Sequence, residues 1–262
     1  MSPARNVDPA RQAATLRDLH HAAQPLLLPN VWDAATARAV ADAGFPVIAT
    51  SSLAVAASLG FPDDDSMPPD AAFSVVSRVA AAVDLPVTAD LEAGYQLPPT
   101  EFVERMLAAG AVGCNLEDTD HHGPDVLVPV ERQAERLHAV REASDAAGVP
   151  IVINARVDVF LHQFGDPESR LPEAIRRGKA YLAAGADCLY PIGLTDPETI
   201  AAFVQAVNAP VNIWLRPDGP SRETLARLGV ARISLAAGLF RRSMAAVQDL
   251  LKDLAPDTAA KM

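Results

Sequence analysis

The sequence predicts a (β/α)8 barrel, and three observations carry that prediction. A phrase in which a helix end meets a short apolar strand recurs along the chain. The strands it marks are apolar almost throughout, as parallel strands covered on both faces are. The chain has 262 residues, 50% of them hydrophobic, which suits a barrel of ordinary size with a sizeable core.

Residues 26–28, Leu-Leu-Leu, read as the first strand. Residues 41–46, Ala-Asp-Ala-Gly-Phe-Pro, then lead into Val47-Ile48-Ala49. The phrase returns before Val87-Thr88-Ala89, Val112-Gly113-Cys114, Ile151-Val152-Ile153 and Cys188-Leu189-Tyr190, and again before Val211-Asn212-Ile213 and Arg232-Ile233-Ser234. In each the helix stops, often at a glycine suited to a left-handed cap, and a strand begins. The intervening stretches carry a helical period. In the clearest, Val130, Ala134, Leu137 and Ala143 share a face, while Glu131, Arg132, Glu135 and Arg136 lie on the other. Eight alternating units in a chain of this length read as one barrel domain over residues 1–262, although two smaller domains also fit the length. A doubly wound sheet competes, but no G-x-G-x-x-G follows the first strand. Residues 1–20 read as a helix closing the barrel base, and residues 255–262 as a fraying end.

A formal net charge of −11 argues against sequence-independent binding to nucleic acid, which needs a basic surface. No apolar run reaches membrane-spanning length, and the N-terminus, with Arg5, Asp8, Arg11, Arg17 and Asp18, lacks the apolar centre of a secretory signal. Cys114 and Cys188 fall in apolar runs and read as buried thiols of a cytoplasmic protein.

Barrel chemistry sits where strands end. Those positions hold Thr50-Ser51-Ser52, Asp90-Leu91-Glu92, Asn115-Leu116-Glu117-Asp118, and Asn154-Ala155-Arg156-Val157-Asp158, with Asn212 and Arg216 on the seventh strand and Ser234 on the eighth. A period of two puts Asp90 with Glu92, Asn115 with Glu117, and Asn154 with Arg156 on common faces. Three carboxylates then converge beside one arginine, which favours a cation between them; oxygen ligands without histidine favour Mg2+ or Mn2+. The alternative for each carboxylate is a helix cap or an ion pair. The Arg156 fork suits a substrate carboxylate, with a salt bridge to Asp90 or Glu117 as its alternative. Ser51 and Ser52 offer a hydroxyl and backbone N–H groups to a substrate oxygen, or serve as ordinary loop residues.

On these motifs, together with Leu59-Gly60-Phe61-Pro62-Asp63, Asp90-Leu91-Glu92-Ala93-Gly94-Tyr95 and Asn154-Ala155-Arg156-Val157-Asp158-Val159-Phe160, the chain resembles the isocitrate lyase/phosphoenolpyruvate mutase superfamily along nearly its whole length. The resemblance implies a tetramer of (β/α)8 barrels that exchange their last helices. It implies Mg2+ held by Asp90, with Glu92 and Glu117 contacting it directly or through water. A 2-oxo acid would lie against Ser51, Ser52, Leu53 and Arg156, with Asn212 as a further substrate contact. Asp63 matches the catalytic loop aspartate, and the shared chemistry passes through a metal-stabilised enolate.

Two stretches depart from the superfamily's better-known branches. Lyases acting on isocitrate or methylisocitrate carry Lys-Arg-Cys-Gly-His after the fourth strand, where this chain has Thr119-Asp120-His121-His122-Gly123-Pro124. Phosphonate-handling members carry Lys and Asn there and a His-Ser pair after the sixth strand, where this chain has Tyr190-Pro191-Ile192-Gly193. His121 or His122 offers a replacement acid or base, since imidazole titrates near neutral pH; two solvated loop histidines are the alternative. The leading expectation is a Mg2+-dependent lyase or decarboxylase of a small 2-oxo or 2-hydroxy acid. A carbon–phosphorus mutase or hydrolase is the second, and a barrel that binds 2-oxo acids without turnover the third. A Schiff-base aldolase is set aside, because Lys179, Lys252 and Lys261 all lie away from strand ends.

Overall fold

The computed structural model describes residues 8–254. Helix α1 (Pro9–Leu19), capped by Asp8, precedes the first strand. The expected first strand is split into β1 (Leu26–Leu28) and β2 (Asn30–Val31) by Pro29. Proline has no N–H to give a ladder, and each piece pairs with a different neighbour. There follow α2 (Ala34–Asp42), β3 (Ile48–Thr50), α3 (Ser52–Leu59), α4 (Pro69–Ala81), β4 (Val87–Asp90) and α5 (Pro99–Ala108). Next come β5 (Gly113–Leu116), α6 (Val130–Ala146), β6 (Val152–Arg156), α7 (Pro167–Ala183) and β7 (Cys188–Tyr190). The chain closes with α8 (Pro197–Val207), β8 (Asn212–Trp214), α9 (Arg222–Arg227), β9 (Arg232–Ser234) and α10 (Gly238–Leu254).

All strand pairs are parallel. They run β2-β3-β4-β5-β6-β7 and β1-β9-β8, and a single bridge between Leu189 and Val211 joins the two runs. The sheet therefore closes on itself as the predicted barrel, which removes both edges. The core lies between this ring and the helices, with Ile48, Leu91, Phe102, Met106, Leu116, Leu137, Ile153 and Phe203 all buried. Cys114 and Cys188 are buried and unpaired, their thiols pushed up to about 12 by burial.

Helix α1 packs at the strand starts. Leu16 is buried, and Arg17 donates to the carbonyls of Pro150 (2.8 Å) and Ile151 (3.0 Å) and to Asp187 (2.9 Å). The predicted helix over residues 1–20 is thus present over 9–19. Its first seven residues and the tail at 255–262 lie outside the described residues.

Barrel interiors are filled mainly by branched aliphatic side chains. This one includes a polar layer: Asn115 Oδ1 accepts from Asn154 Nδ2 at 2.8 Å and from Arg232 Nη2 at 3.2 Å. No helix among the described residues is long and apolar enough to cross a membrane.

Candidate active site

The strand ends deliver Asp90 and Arg156 as the last residues of β4 and β6, and Glu117 as the first residue after β5. Parallel pairing sets Asp90 against Asn115 and Asn115 against Asn154, so these groups come from neighbouring strands. Ser51 caps α3, its Oγ accepting from the Ala54 N–H, and Leu53 lies in the first turn of that helix. Ser52 gives Asp90 Oδ2 two long hydrogen bonds, from its N–H (3.3 Å) and its hydroxyl (3.2 Å). Asp90 Oδ1 is buried and has no hydrogen-bond partner.

Glu92 reaches the site by another route than strand alternation. The strand ends at Asp90, and Glu92 adopts φ +52°, in the left-handed region, as do Tyr95 and Gln96 at +53° and +56°. For residues with a Cβ this costs on the order of 1 kcal/mol each, so contacts must hold the turn. Asp65, itself at φ +60°, supplies them. Its N–H donates to Glu92 Oε2, its Oδ1 accepts from the Tyr95 N–H at 2.8 Å, and its Oδ2 meets His122 Nε2 at 2.9 Å. Gly94 completes the turn at φ +88°, where a Cβ would strike the Arg136 guanidinium. Glu92 Oε1 is left buried without a partner. Its carboxyl is pushed up to about 8, by burial first and then by Asp63, Glu117 and Asp65; only the Asp65 N–H opposes strongly.

Glu117 contacts Arg156 Nη1 and accepts from or shares a proton with His121 Nε2 at 2.6 Å. Burial raises it to about 7 against the pull of Arg156 and His121. Burial alone would lower His121, but the Glu117 bond and charge, with Asp65 and Glu92 behind, leave it raised. Asp63 stays exposed at the rim. The mouth shelters its carboxyl enough to raise it, Asp90 adding to the shift, while Ser52, Arg156 and His121 oppose.

Arg156 is more heavily engaged than its strand-end position suggests. Nε and Nη2 donate to the two oxygens of Asp158 at 3.1 and 2.7 Å, and Nη1 faces Glu117. Its partners are therefore Glu117 and Asp158, with Asp90 acting only as a nearby charge, and two of its five N–H groups remain for a ligand. Asp158 also accepts from the Thr119 hydroxyl at 2.6 Å, and that hydroxyl meets His162 Nε2 at 2.8 Å. Asn212 opens β8 rather than ending it. It lies in register with Arg232, at the polar layer below the mouth, and both atoms of its buried amide are unpartnered.

The stretch after β5 is a short hairpin over the mouth. Thr119 bridges to Leu127, and the Asp120 N–H donates to the Val126 carbonyl at 3.1 Å. It turns both histidines onto acidic partners, His121 largely buried on Glu117 and His122 still 40% exposed on Asp65, and the expectation of a histidine-free carboxylate cluster does not hold. After β7, Gly193 at φ +88° packs on the backbone of Phe160 and Leu161, where a Cβ would lie 2.8 Å from the Leu161 nitrogen.

Sequence reasoning missed Asp65, Thr119, His162 and Arg232 as parts of the site or its floor. Among the described residues no three Asp, Glu, His or Cys side chains close into a cage for an ion. The unpartnered oxygens of Asp90 and Glu92 nevertheless fit Mg2+, which is commonly held by one or two carboxylates and keeps several waters.

The sequence profile of the phosphoenolpyruvate phosphomutase family matches residues 16–255. A candidate phosphonomutase of Burkholderia cenocepacia J2315 is 43% identical, with a TM-score of 0.86 over 92% of this chain and 99% of that one. An uncharacterised protein of Mycobacterium tuberculosis (strain ATCC 25618 / H37Rv) is 31% identical over 88% of this chain and 87% of its own length. Oxaloacetate decarboxylase of Rhodopseudomonas palustris (strain TIE-1) is 28% identical over 84% and 79%. The chain belongs to the phosphoenolpyruvate phosphomutase family, within the isocitrate lyase/phosphoenolpyruvate mutase superfamily of lyases and mutases.

Proposed function

We propose that this enzyme, taken as one barrel domain over residues 1–262, is a Mg2+-dependent lyase or decarboxylase. Its substrate is a small 2-oxo or 2-hydroxy carboxylic acid. The observation that carries the reading is the pair of buried, unpartnered carboxylate oxygens on Asp90 and Glu92, set beside Arg156 and His121. Mg2+ bound there would supply a Lewis acid for charge developing on the substrate oxygen as an enolate forms.

The remaining roles fall to the protein. Asp90 and Glu92 hold the cation, with Glu117 behind them. The two free N–H groups of Arg156 orient the substrate carboxylate, and the N-terminal turn of α3, with Ser51, Ser52 and Leu53, forms the wall opposite. His121, held on Glu117, is placed to give or take a proton at the carbon next to the carbonyl, and Asp63 faces the same space from the rim. Asn212 lies below this ring, so its contribution is to the floor rather than to first contact.

Purified protein incubated with oxaloacetate, or with alkylmalate-type acids, and Mg2+ is expected to release pyruvate or glyoxylate. EDTA abolishes the release and Glu92→Gln lowers it at least tenfold. Turnover indifferent to both would reject the metal assignment.

A second reading, cleavage or rearrangement of a carbon–phosphorus bond, is favoured by the 43% identity to a candidate phosphonomutase. Phosphorus NMR of a phosphonopyruvate reaction separates the two, and an unchanged spectrum removes the second.

We also propose a homotetramer whose last helices are exchanged. Helix α10 supports it by exposing Met244, Val247, Leu250, Leu251 and Leu254, spaced along one apolar stripe. Sedimentation of a monomer at micromolar concentration would overturn it.

A further inference from the structure

We infer that Asp65 and His122 form a latch that locks the loop carrying Asp63 to the hairpin carrying His121, positioning both over Asp90. The inference rests on the reading of Asp63 and His121 as groups that face the substrate.

Three segments meet at one side chain. Asp65 comes from the loop between α3 and α4, Tyr95 from the turn after β4, and His122 from the hairpin after β5. The carboxylate of Asp65 is buried and spans the gap, one oxygen on the Tyr95 N–H and the other on His122 Nε2. Its own N–H holds Glu92 Oε2, so the same residue that ties the loops also fixes which oxygen of Glu92 is left over.

Asp65 sits in the left-handed region, which is uncommon outside glycine though aspartate tolerates it better than most, and its neighbours Asp64 and Ser66 are exposed. What holds Asp65 in place is this set of bonds. The hairpin is held in turn at few points. Its tip, residues 123–126, is exposed, and the polar bonds that bring its middle down run through His121 and His122. His121 ties the hairpin to a strand end, whereas His122 ties it to the other loop. Removal of His122 therefore frees the two loops from each other while leaving the barrel and the His121–Glu117 bond intact. Asp65 and His122 are positioning residues, acting through Glu92, Asp63 and His121.

The test combines hydrogen exchange of the ligand-free protein with kinetics on oxaloacetate and Mg2+. His122→Ala is expected to speed amide exchange about tenfold in both 61–67 and 119–127, with the strands unchanged. It should lower kcat/KM about tenfold, mainly through kcat, and His122→Gln, which restores a donor, should recover part of the loss. Asp65→Gly relieves the left-handed backbone yet removes the carboxylate. It should therefore loosen the turn after β4 as well as the hairpin, whereas His122→Ala leaves the Tyr95 N–H bond in place and loosens the two loops alone. Exchange in 61–67 unaffected by His122→Ala would overturn the latch. Coupled exchange without turnover of any acid tested would keep the latch and reject the enzymatic reading beneath it.

Discussion

The base and the mouth of the barrel use the same chemistry to opposite ends. At the base, Asp187 is saturated: Arg17 Nε donates to one oxygen at 2.9 Å, and Arg141 Nη2 and the Ile153 N–H to the other at 2.6 and 2.8 Å. Asp118, beside Glu117 at the mouth but turned onto α7, is likewise filled by Arg177 (2.9 Å), the Tyr181 hydroxyl (2.6 Å) and the Asp158 N–H (2.8 Å). At the mouth, Asp90 has two weak donors on one oxygen and none on the other, and Glu92 takes the Asp65 N–H on Oε2 and leaves Oε1 unpartnered. A buried carboxylate whose lone pairs are filled staples elements together. One left partly unfilled is held in readiness for a cation or a proton, and the fold carries its desolvation cost.

The sharpest way to break this comparison is to mutate one member of each class. Asp90→Ala should reduce turnover by about a thousandfold or more while leaving Tm nearly unchanged, because it removes an ill-satisfied charge. Asp187→Ala should strand Arg17 and Arg141 and lower stability by roughly 3–5 kcal/mol, read as a Tm drop on the order of 10 °C, with kcat of the folded fraction retained. If Asp90→Ala also unfolds the protein, the distinction between the two carboxylates fails.

Titration gives a smaller test. Glu92 is held at about 8 in the fold against an ordinary 4.5, so between those values the folded chain binds more protons than the unfolded one, and stability falls as pH rises. His20, at the base, runs the other way. Burial first, and the Arg232 charge second, lower it from 6.5 to about 4, so its contribution is present above 6.5 and lost as pH falls through 4. In EDTA, calorimetry across pH 4–8.5 should show Tm declining at both ends of the range. Glu92→Gln should flatten the alkaline limb only and His20→Gln the acid limb only, each by a few kcal/mol at most. Mg2+ should also flatten the alkaline limb.

The difference between filled and unfilled carboxylates is also where the sequence stops being legible. The barrel can be read because helix ends and apolar strands repeat locally. Even the misplacement is local, a proline at position 29 that cuts one strand in two. Asp90, Glu117 and Arg156 can be read because strand ends are predictable. Glu92 is found by the right count for the wrong reason, since its direction comes from a left-handed turn pinned by Asp65 and not from strand alternation. Asp65 itself sits in an Asp-Asp-Asp run that reads as solvated loop, and neither its φ nor its partners 30 and 57 residues away leave a periodic trace. The full engagement of Arg156 is hidden similarly, because Asp158 two residues on could have faced either way.

The hairpin after β5 is closed at its neck by the Thr119–Leu127 bridge and the bond from the Val128 N–H to the Asp118 carbonyl, so chain enters and leaves at adjacent points. Such a neck behaves as a socket. The tip between its two ends, residues 123–126, is exposed, so a library that varies it and keeps His121 and His122 samples new side groups over one carboxylate platform.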